Sequence, residues 1–93
     1  MYTEPHAVFV RSGEAAANVR KHGVSFADAE GVFSDPLALT IEDPDTQGET
    51  RYVAIGLGNL GKLLVVVYTE QAEEFRLISA RRATRKERKA YEG

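Results

Sequence analysis

The stretch "KLLVVVYT", residues 62–69, is the longest nearly continuous apolar run in the chain. Strands that are covered on both faces read as continuous apolar runs rather than as alternating ones, and Val is enriched in them. Residues 62–69 therefore predict a central strand of a sheet. The segments on either side must then supply its neighbouring strands and its covering helices.

Three further segments have the pattern of strands. Residues 51–57 (RYVAIGL) are joined to the central strand by the tight link 58–61 (GNLG). Residues 75–82 (FRLISARR) follow the central strand after a polar turn at 70–74, and residues 37–42 (LALTIE) come earlier in the chain. Because short links join antiparallel neighbours, these segments predict a four-stranded antiparallel sheet in meander order.

Two helices are predicted before the strands. Residues 12–23 (SGEAAANVRKHG) have the composition of a helix that Ser12 caps and that ends at Gly23, where a left-handed C′ residue belongs. Ser25 then begins a second helix, with Asp28 three residues on, as in a capping box.

A third helix is predicted at the carboxyl end, over residues 84–93, with Thr84 and Glu87 as its capping box. Residues 8–10 (VFV) leave two alternatives open, a short edge strand or an extended lead-in. The order of elements indicates an α+β fold, with helices packed on one face of a four-stranded sheet. A chain of 93 residues can build one modest core, so residues 1–93 predict a single domain.

Composition limits the functions that this fold can carry. The chain has no Cys, which excludes disulfides, thiolate nucleophiles and Cys-ligated zinc. It has neither a signal segment nor an apolar run of membrane-spanning length, so we expect a cytoplasmic protein without membrane contact. Residues 76–93 carry a net charge of +5 and residues 1–75 carry −7. The basic end predicts contact with a polyanion or an acidic partner, and a solvated terminal helix is the alternative.

The side chains available for chemistry are His, Tyr, Lys and Arg. The serines lack the Gly-x-Ser-x-Gly context of serine hydrolases, and the acidic stretch 42–45 (EDPD) has the composition of a solvated turn. The remaining types suit metal-independent cleavage of RNA, which needs a base for the 2′-hydroxyl, cations around the phosphorane and an acid for the 5′-oxygen. We therefore expect neither a metal nor a cofactor.

Five residues are candidates for this chemistry, and structural roles are open for several of them. Lys21 and His22 lie at the end of the first helix, where cations also oppose the negative end of the helix dipole. Arg76 and Arg81 lie on the last strand, where Arg76 could instead form a cross-strand ion pair. Tyr91 lies in the last helix and could simply pack that helix on the sheet.

The alternation of the last strand predicts which face of the sheet each of its side chains points to. Strict alternation puts two sets on opposite faces: Phe75, Leu77, Ser79 and Arg81 on one, and Arg76, Ile78 and Ala80 on the other. Arg76 and Arg81 can then share a site only if the strand is bulged or if Arg81 lies at its end, where the chain turns. Of these we favour the end position for Arg81.

Four segments together resemble a known family. They are "NVRKHGVSFADAEGVFSDPLAL" (18–39), "RYVAIGL" (51–57), "LLVVVYTE" (63–70) and "RLISARRATRKERKAYE" (76–92). Their order and spacing resemble the BrnT family of ribonuclease toxins of type II toxin–antitoxin systems, over roughly residues 8–92. The motifs that carry the resemblance are Lys21-His22-Gly23 with Phe26, the helix stop Asp35-Pro36, and Arg76-Ile78-Ser79-Ala80-Arg81 with Ala83, Glu87 and Tyr91.

The resemblance implies a RelE-like fold and a function. It implies a toxin that cleaves RNA as a metal-independent endoribonuclease and thereby inhibits translation. It implies a BrnA-like antitoxin as partner, which carries the DNA-binding part, and a toxin homodimer within the complex. It implies catalytic roles for His22, Arg76, Arg81 and Tyr91. We expect Lys21 and the cations of the basic end to bind the RNA, namely Arg82, Arg85, Lys86, Arg88 and Lys89.

The chain also departs from the family pattern. Val10-Arg11 stand where the family has Trp-Asp, Glu14 stands where it has a Lys, and Gln71 replaces a basic residue. An alternative interpretation is therefore a catalytically degenerate member that binds nucleic acid or a partner without cleaving. A third is a structural subunit whose basic terminal helix docks an acidic chain.

Overall fold

A mixed five-stranded sheet forms the centre of the computed structural model, which describes residues 7–44, 48–71 and 74–93. The strands are β1 (Ala7–Phe9), β2 (Leu39–Glu42), β3 (Arg51–Leu57), β4 (Leu63–Gln71) and β5 (Glu74–Arg82), in the order β1-β5-β4-β3-β2. The helices are α1 (Ser12–His22), α2 (Phe26–Ala29), which continues as the 3₁₀ helix Glu30–Ser34, and α3 (Arg85–Glu92). The architecture is α+β, as the sequence predicts.

The expectation of a purely antiparallel, four-stranded sheet is wrong. The segment Ala7–Phe9 is an edge strand, and it pairs in parallel with Glu74–Arg76 of β5. Three residues are too few to show a period, and their partner lies at the other end of the chain, so local pattern could not decide between strand and lead-in. A parallel pairing is possible here because the long intervening chain can serve as the crossover connection that parallel strands need.

The central position of β4 is confirmed. It pairs antiparallel with β3 on one side and with β5 on the other. Its residues Leu63, Leu64, Val65 and Val66 are all buried, so both of its faces are covered there. The predicted polar turn at 70–74 is shorter than expected, because β4 continues to Gln71 and β5 already begins at Glu74. Residues 72–73 of that turn, like 45–47 of the acidic loop, lie outside the described residues.

The main core lies between the sheet and the helices α2 and 3₁₀. On the helix side the core contains Phe26, Ala29 and Val32, which are buried. On the sheet side the core contains Ala54, Leu64, Val66, Tyr68, Leu77 and Ala80. Four rings extend it with centroid separations from 4.8 to 5.4 Å: Phe33, Tyr52, Tyr68 and Phe75. Burial of this apolar surface is the largest favourable contribution to folding.

The helix ends follow the sequence signals with two exceptions, the Ser12 cap and the return bond of the Ser25–Asp28 capping box, because the Asp28 carboxylate accepts the N–H of Leu60 instead. Gly23 adopts a left-handed φ of 71° and its N–H donates to Val19, which ends α1. The Ser25 hydroxyl accepts the N–H of Asp28 at 3.0 Å. The expected Ser12 cap is wrong: the N-cap residue is Arg11, without a side-chain cap bond. Helix α1 tolerates an uncapped start because its packing on β5 stabilises it.

The link between β3 and β4 is fixed to α2 by close backbone approach. A Cβ at Gly58 would lie 2.5 Å from the Asp28 carboxylate, so only glycine fits there. The same carboxylate accepts the N–H of Leu60 at 2.9 Å, and the carbonyl of Asp28 accepts the N–H of Asn59. Helix α2 therefore determines where the β3–β4 link lies.

Helix α1 covers the free edge of β5. Strand β1 pairs only with Glu74–Arg76, so the outer backbone groups of β5 beyond this point need other partners. The buried Asn18 supplies them: its amide donates to the Ala80 carbonyl at 2.8 Å, and its oxygen accepts the Ala80 N–H at 3.0 Å. The same amide also donates to Val24 at 2.9 Å.

Helix α3 has no buried residue, and its capping box of Thr84 and Glu87 is present as predicted. Within the described residues, no helix is both long enough and apolar enough to cross a membrane.

We expect Asn18→Ala to lower the free energy of unfolding by about 3 kcal/mol, because three buried backbone groups lose their partner. Asn59→Ala is the matched control, since the Asn59 side chain makes one exposed bond to the Ala27 carbonyl and should contribute only about 0.5 kcal/mol. Urea unfolding of both variants measures the difference. Equal losses in the two variants would contradict this role of Asn18.

Candidate active site

A bulge in β5 places the candidate residues of that strand on one face. Val67 of β4 faces Ser79, whereas the next residue, Tyr68, faces Leu77, so Ile78 is the extra residue. Residues that pair across an antiparallel ladder point to the same side. The alternation along β5 therefore changes phase at Ile78.

The two faces expected from strict alternation are consequently wrong. Leu77 and Ala80 both point to the main core and are fully buried. By register with Thr69, Val67 and Val65, residues Arg76, Ser79 and Arg81 share the opposite face. A bulge, and not an end position of Arg81, brings the two arginines to one side of the sheet.

A cleft lies between α1 and this part of β5. Its volume is about 180 Å³, and it is lined by Glu14, Ala17, Asn18, Lys21, His22, Ile78 and Ser79. Lys21 is exposed and His22 is half-buried. The predicted residues Lys21 and His22 thus face Ser79, which lies between Arg76 and Arg81 along β5.

Arg76 lies between two carboxylates, on the side of Ser79 away from Arg81 along β5. Its guanidinium is 3.4 Å from Glu14 and 3.9 Å from Glu49. The ion-pair alternative for Arg76 is therefore present, although the acids come from α1 and from the segment before β3 rather than from the facing strand. Both distances are long for a charge-assisted hydrogen bond.

Arg81 is held much more tightly at the other end. Its two terminal nitrogens donate to both oxygens of Glu87, at 2.8 and 2.7 Å. This bond from Arg81 lowers the pKa of Glu87 to about 2, and the Glu87 carboxylate raises the pKa of Arg81. The pair fastens the start of α3 to β5, so Arg81 has a structural task besides any role in binding.

Tyr91 fastens the end of α3 in a similar way. Its hydroxyl donates to Asp35 at 2.7 Å, and the same carboxylate accepts the N–H groups of Leu57 and Leu37. The hydrogen bond to Asp35 raises the pKa of Tyr91. Burial alone would raise the pKa of Asp35, but the bonds from Leu57, Tyr91 and Leu37 lower it instead.

The candidates therefore fall into two groups. Lys21 and His22 line the cleft, and Arg76 is paired with Glu14, which also lines it. Arg81 and Tyr91 instead hold α3 through two separate acids. The predicted RNA-binding residues at the carboxyl end are exposed: Arg82, Arg85, Lys86, Arg88 and Lys89. Of these, Arg88 lies 3.9 Å from Glu92. Among the described residues, no group of three or more His, Asp or Glu side chains is placed to hold a metal ion.

Sequence reasoning missed some of the residues at this site. Ser79 enters the cleft only because of the bulge, which has no local signature. Glu14 departs from a family pattern in the sequence, but its pairing with Arg76 depends on packing between α1 and β5. Asp35 stood out as a helix stop, and nothing local indicates that it accepts three hydrogen bonds.

Comparisons with known proteins agree on one family. The family model described as "Ribonuclease toxin, BrnT, of type II toxin-antitoxin system" matches residues 11–87. Among solved structures, the chain is similar to the crystal structure of the Brucella abortus ribonuclease toxin BrnT, at 25% identity and a TM-score of 0.63. That match covers 86% of this chain and 99% of the Brucella chain. No curated protein matches the chain.

The Arg81–Glu87 pair predicts a loss of stability in acid. Since the pKa of Glu87 falls from its ordinary 4.5 to about 2 on folding, the pair stabilises fully above pH 4.5, and this is lost as the pH falls towards 2. Because the pair is partly exposed, we expect the loss to be about 1 kcal/mol.

Urea unfolding as a function of pH measures this loss. Glu87→Gln should remove that part of the pH dependence, whereas Glu92→Gln, which removes a looser partner of Arg88, should leave it in place. The same acid slope in the Glu87→Gln variant would show that other carboxylates cause it.

Proposed function

The chain belongs to the BrnT family of ribonuclease toxins of type II toxin–antitoxin systems, and we propose that it cleaves RNA in the cleft between α1 and β5. The observation that carries this proposal is the bulge at Ile78, because it gives Arg76, Ser79 and Arg81 a common face beside Lys21 and His22. This combination supplies three cations, Lys21, Arg76 and Arg81, and one proton-transfer group, His22, in or beside a single small cleft.

In the proposed reaction, the 2′-oxygen of a ribose attacks the adjacent phosphorus. His22 is the proposed proton-transfer group, because imidazole can either accept the 2′-hydroxyl proton or donate one to the leaving 5′-oxygen. Lys21 and Arg76 would stabilise the negative charge that develops on the phosphorane oxygens. The bond to the 5′-oxygen breaks, and the products are a 2′,3′-cyclic phosphate and a 5′-hydroxyl. No step of this reaction requires a metal ion.

Arg81 and Tyr91 take different parts in this proposal. Arg81 faces the same side as Arg76, but its terminal nitrogens already donate to Glu87, so we assign it a secondary contact to the RNA phosphates. Tyr91 donates its proton to Asp35 and its pKa is raised. Both features favour the neutral phenol, so Tyr91 suits the positioning of α3 better than the removal of a proton.

The exposed cations of α3 suggest how the RNA and the antitoxin bind. Arg85, Lys86 and Lys89 lie on a helix without buried residues, and they could contact the RNA phosphates on either side of the cleft. A BrnA-like antitoxin with an acidic segment would compete for the same cations. We further propose that the toxin is a homodimer within that complex and acts in the cytoplasm, where its substrate is found.

One observation favours a second function, a non-enzymatic binding module. Glu14 and Glu49 balance the charge of Arg76, which weakens the positive potential at that end of the cleft. If these carboxylates stay in place when RNA binds, the cleft would hold an RNA chain without accelerating its cleavage.

Cleavage of a defined RNA by the purified protein, freed of antitoxin and kept in EDTA, tests the proposal. We expect cleavage that leaves 2′,3′-cyclic phosphate ends, and His22→Ala should slow it about 100-fold while changing the affinity for RNA little. Lys62→Gln, which removes an exposed charge from the β3–β4 link, is the control and should cleave at the normal rate.

The opposite results would separate the alternatives. Bound RNA that is not cut, with an affinity that depends on Lys21 and Arg76, would support the binding module. Cleavage that EDTA abolishes would contradict the metal-independent reaction. A His22→Ala variant that cleaves at the normal rate would remove His22 from the site.

A further inference from the structure

Four buried polar atoms without a hydrogen-bond partner among the described residues gather in one place. They are Glu14 Oε1, Arg51 Nε, Thr69 Oγ1 and Arg76 Nε. Arg51 and Arg76 are the register partners of Thr69 on its two sides, and Glu14 is ion-paired with Arg76. The unsatisfied groups therefore converge on one row across β3, β4 and β5.

Thr69 is the least expected residue in this row. It is fully buried, and its hydroxyl has no partner among the residues that the structure describes. Burying a hydroxyl without a hydrogen bond costs stability, and a Val of nearly the same shape would avoid that cost. Packing alone therefore does not account for a threonine at this buried position of β4.

The two arginines flank this hydroxyl on the face that carries the cleft. Neighbouring strands lie about 4.8 Å apart, so the Cα atoms of Arg51 and Arg76 are about 10 Å apart across Thr69. Side chains of this length can direct two guanidinium groups to one bound group above the threonine. Each guanidinium can donate two parallel hydrogen bonds to phosphate oxygens, and the hydroxyl can add a further donor.

The acidic neighbours hold Arg76 loosely. Its distances of 3.4 Å to Glu14 and 3.9 Å to Glu49 contrast with 2.7 Å in the Arg81–Glu87 pair. The carboxylates thus balance the charge of Arg76 without using its donors in short hydrogen bonds. An anion that meets Arg76 at a shorter distance can replace them.

We propose that Arg51, Thr69 and Arg76 form a binding subsite for a phosphodiester group of RNA, and that Glu14 competes with this group for Arg76. The subsite rests on the proposed ribonuclease function and extends it. It adjoins the cleft of Lys21 and His22, because Glu14 belongs to both and Ser79 follows Arg76 on the same face. Arg76 is shared between the two sites, and Arg51 and Thr69 would hold the phosphate next to the one that is cleaved.

Binding of an RNA with 2′-O-methyl groups, which cannot be cleaved, tests the subsite by its Kd. We expect Arg51→Gln to weaken binding about tenfold and Thr69→Val to weaken it several-fold, whereas Thr69→Ser keeps the hydroxyl and binds normally. Glu14→Gln should tighten binding several-fold, because it removes the competing charge. Arg20→Gln is the charge-matched control, because Arg20 is exposed on α1 and outside both sites.

Thermal unfolding distinguishes a ligand site from a structural role. Without ligand, Thr69→Val should have an unchanged or higher Tm, because it removes a buried hydroxyl that no other described residue pairs with. Weaker RNA binding by a variant that is at least as stable supports the subsite. If Thr69→Val and Arg51→Gln bind RNA as Arg20→Gln does, the proposal is overturned, and the ribonuclease function is unaffected.

Inorganic phosphate separates the subsite from the RNA function. We expect phosphate to raise the Tm of the unaltered protein, and to do so much less in Arg51→Gln and Thr69→Val. Suppose that phosphate raises the Tm in this residue-dependent way while the unaltered protein neither binds nor cuts RNA. In that case the subsite stands as a phosphate site and the proposed function fails. If phosphate acts equally on all variants, the anion does not bind at Thr69 and the subsite is overturned.

Discussion

Two hydrogen bonds between the side chain of Asn18 and the backbone of Ala80 fix the part of the structure on which the site depends. They supply hydrogen-bond partners to the backbone of β5 beyond the end of β1. Helix α1 therefore lies beside the edge of β5 and not on a face of the sheet. The Ala80 contact lies beside the bulge at Ile78. Together these two features bring the end of α1, with Lys21 and His22, to the face of β5 that carries the arginines.

The two arginines of that face differ in how firmly acids hold them. Arg81 makes short bonds to both oxygens of Glu87, and with Tyr91 and Asp35 at the far end this attaches a helix that buries no residue. Arg76 is only loosely paired, and it lies beside the buried hydroxyl of Thr69, which has no hydrogen-bond partner in the part of the chain that the structure describes. Arg81 thus attaches α3 to the sheet, whereas Arg76 has donors available to an anion.

Prediction from sequence succeeded where the signal is local. The continuous apolar run of β4, the left-handed Gly23, the Ser25 cap and the Thr84–Glu87 capping box are each encoded within a few residues. It failed for β1 because three residues carry no period and their partner is distant in sequence. It failed for the Ser12 cap because packing on β5 replaces the missing bond.

For the site, the sequence determined which groups are available: one histidine beside a lysine at a helix end, three arginines on the last strand, and no thiol. The tertiary structure alone decided which of them meet. The bulge is visible only in the register between β4 and β5, since a single extra residue reverses every later side chain without changing composition. The row of Arg51, Thr69 and Arg76 likewise exists only because three strands align in register. Within its own segment, none of the three residues departs from an ordinary strand pattern.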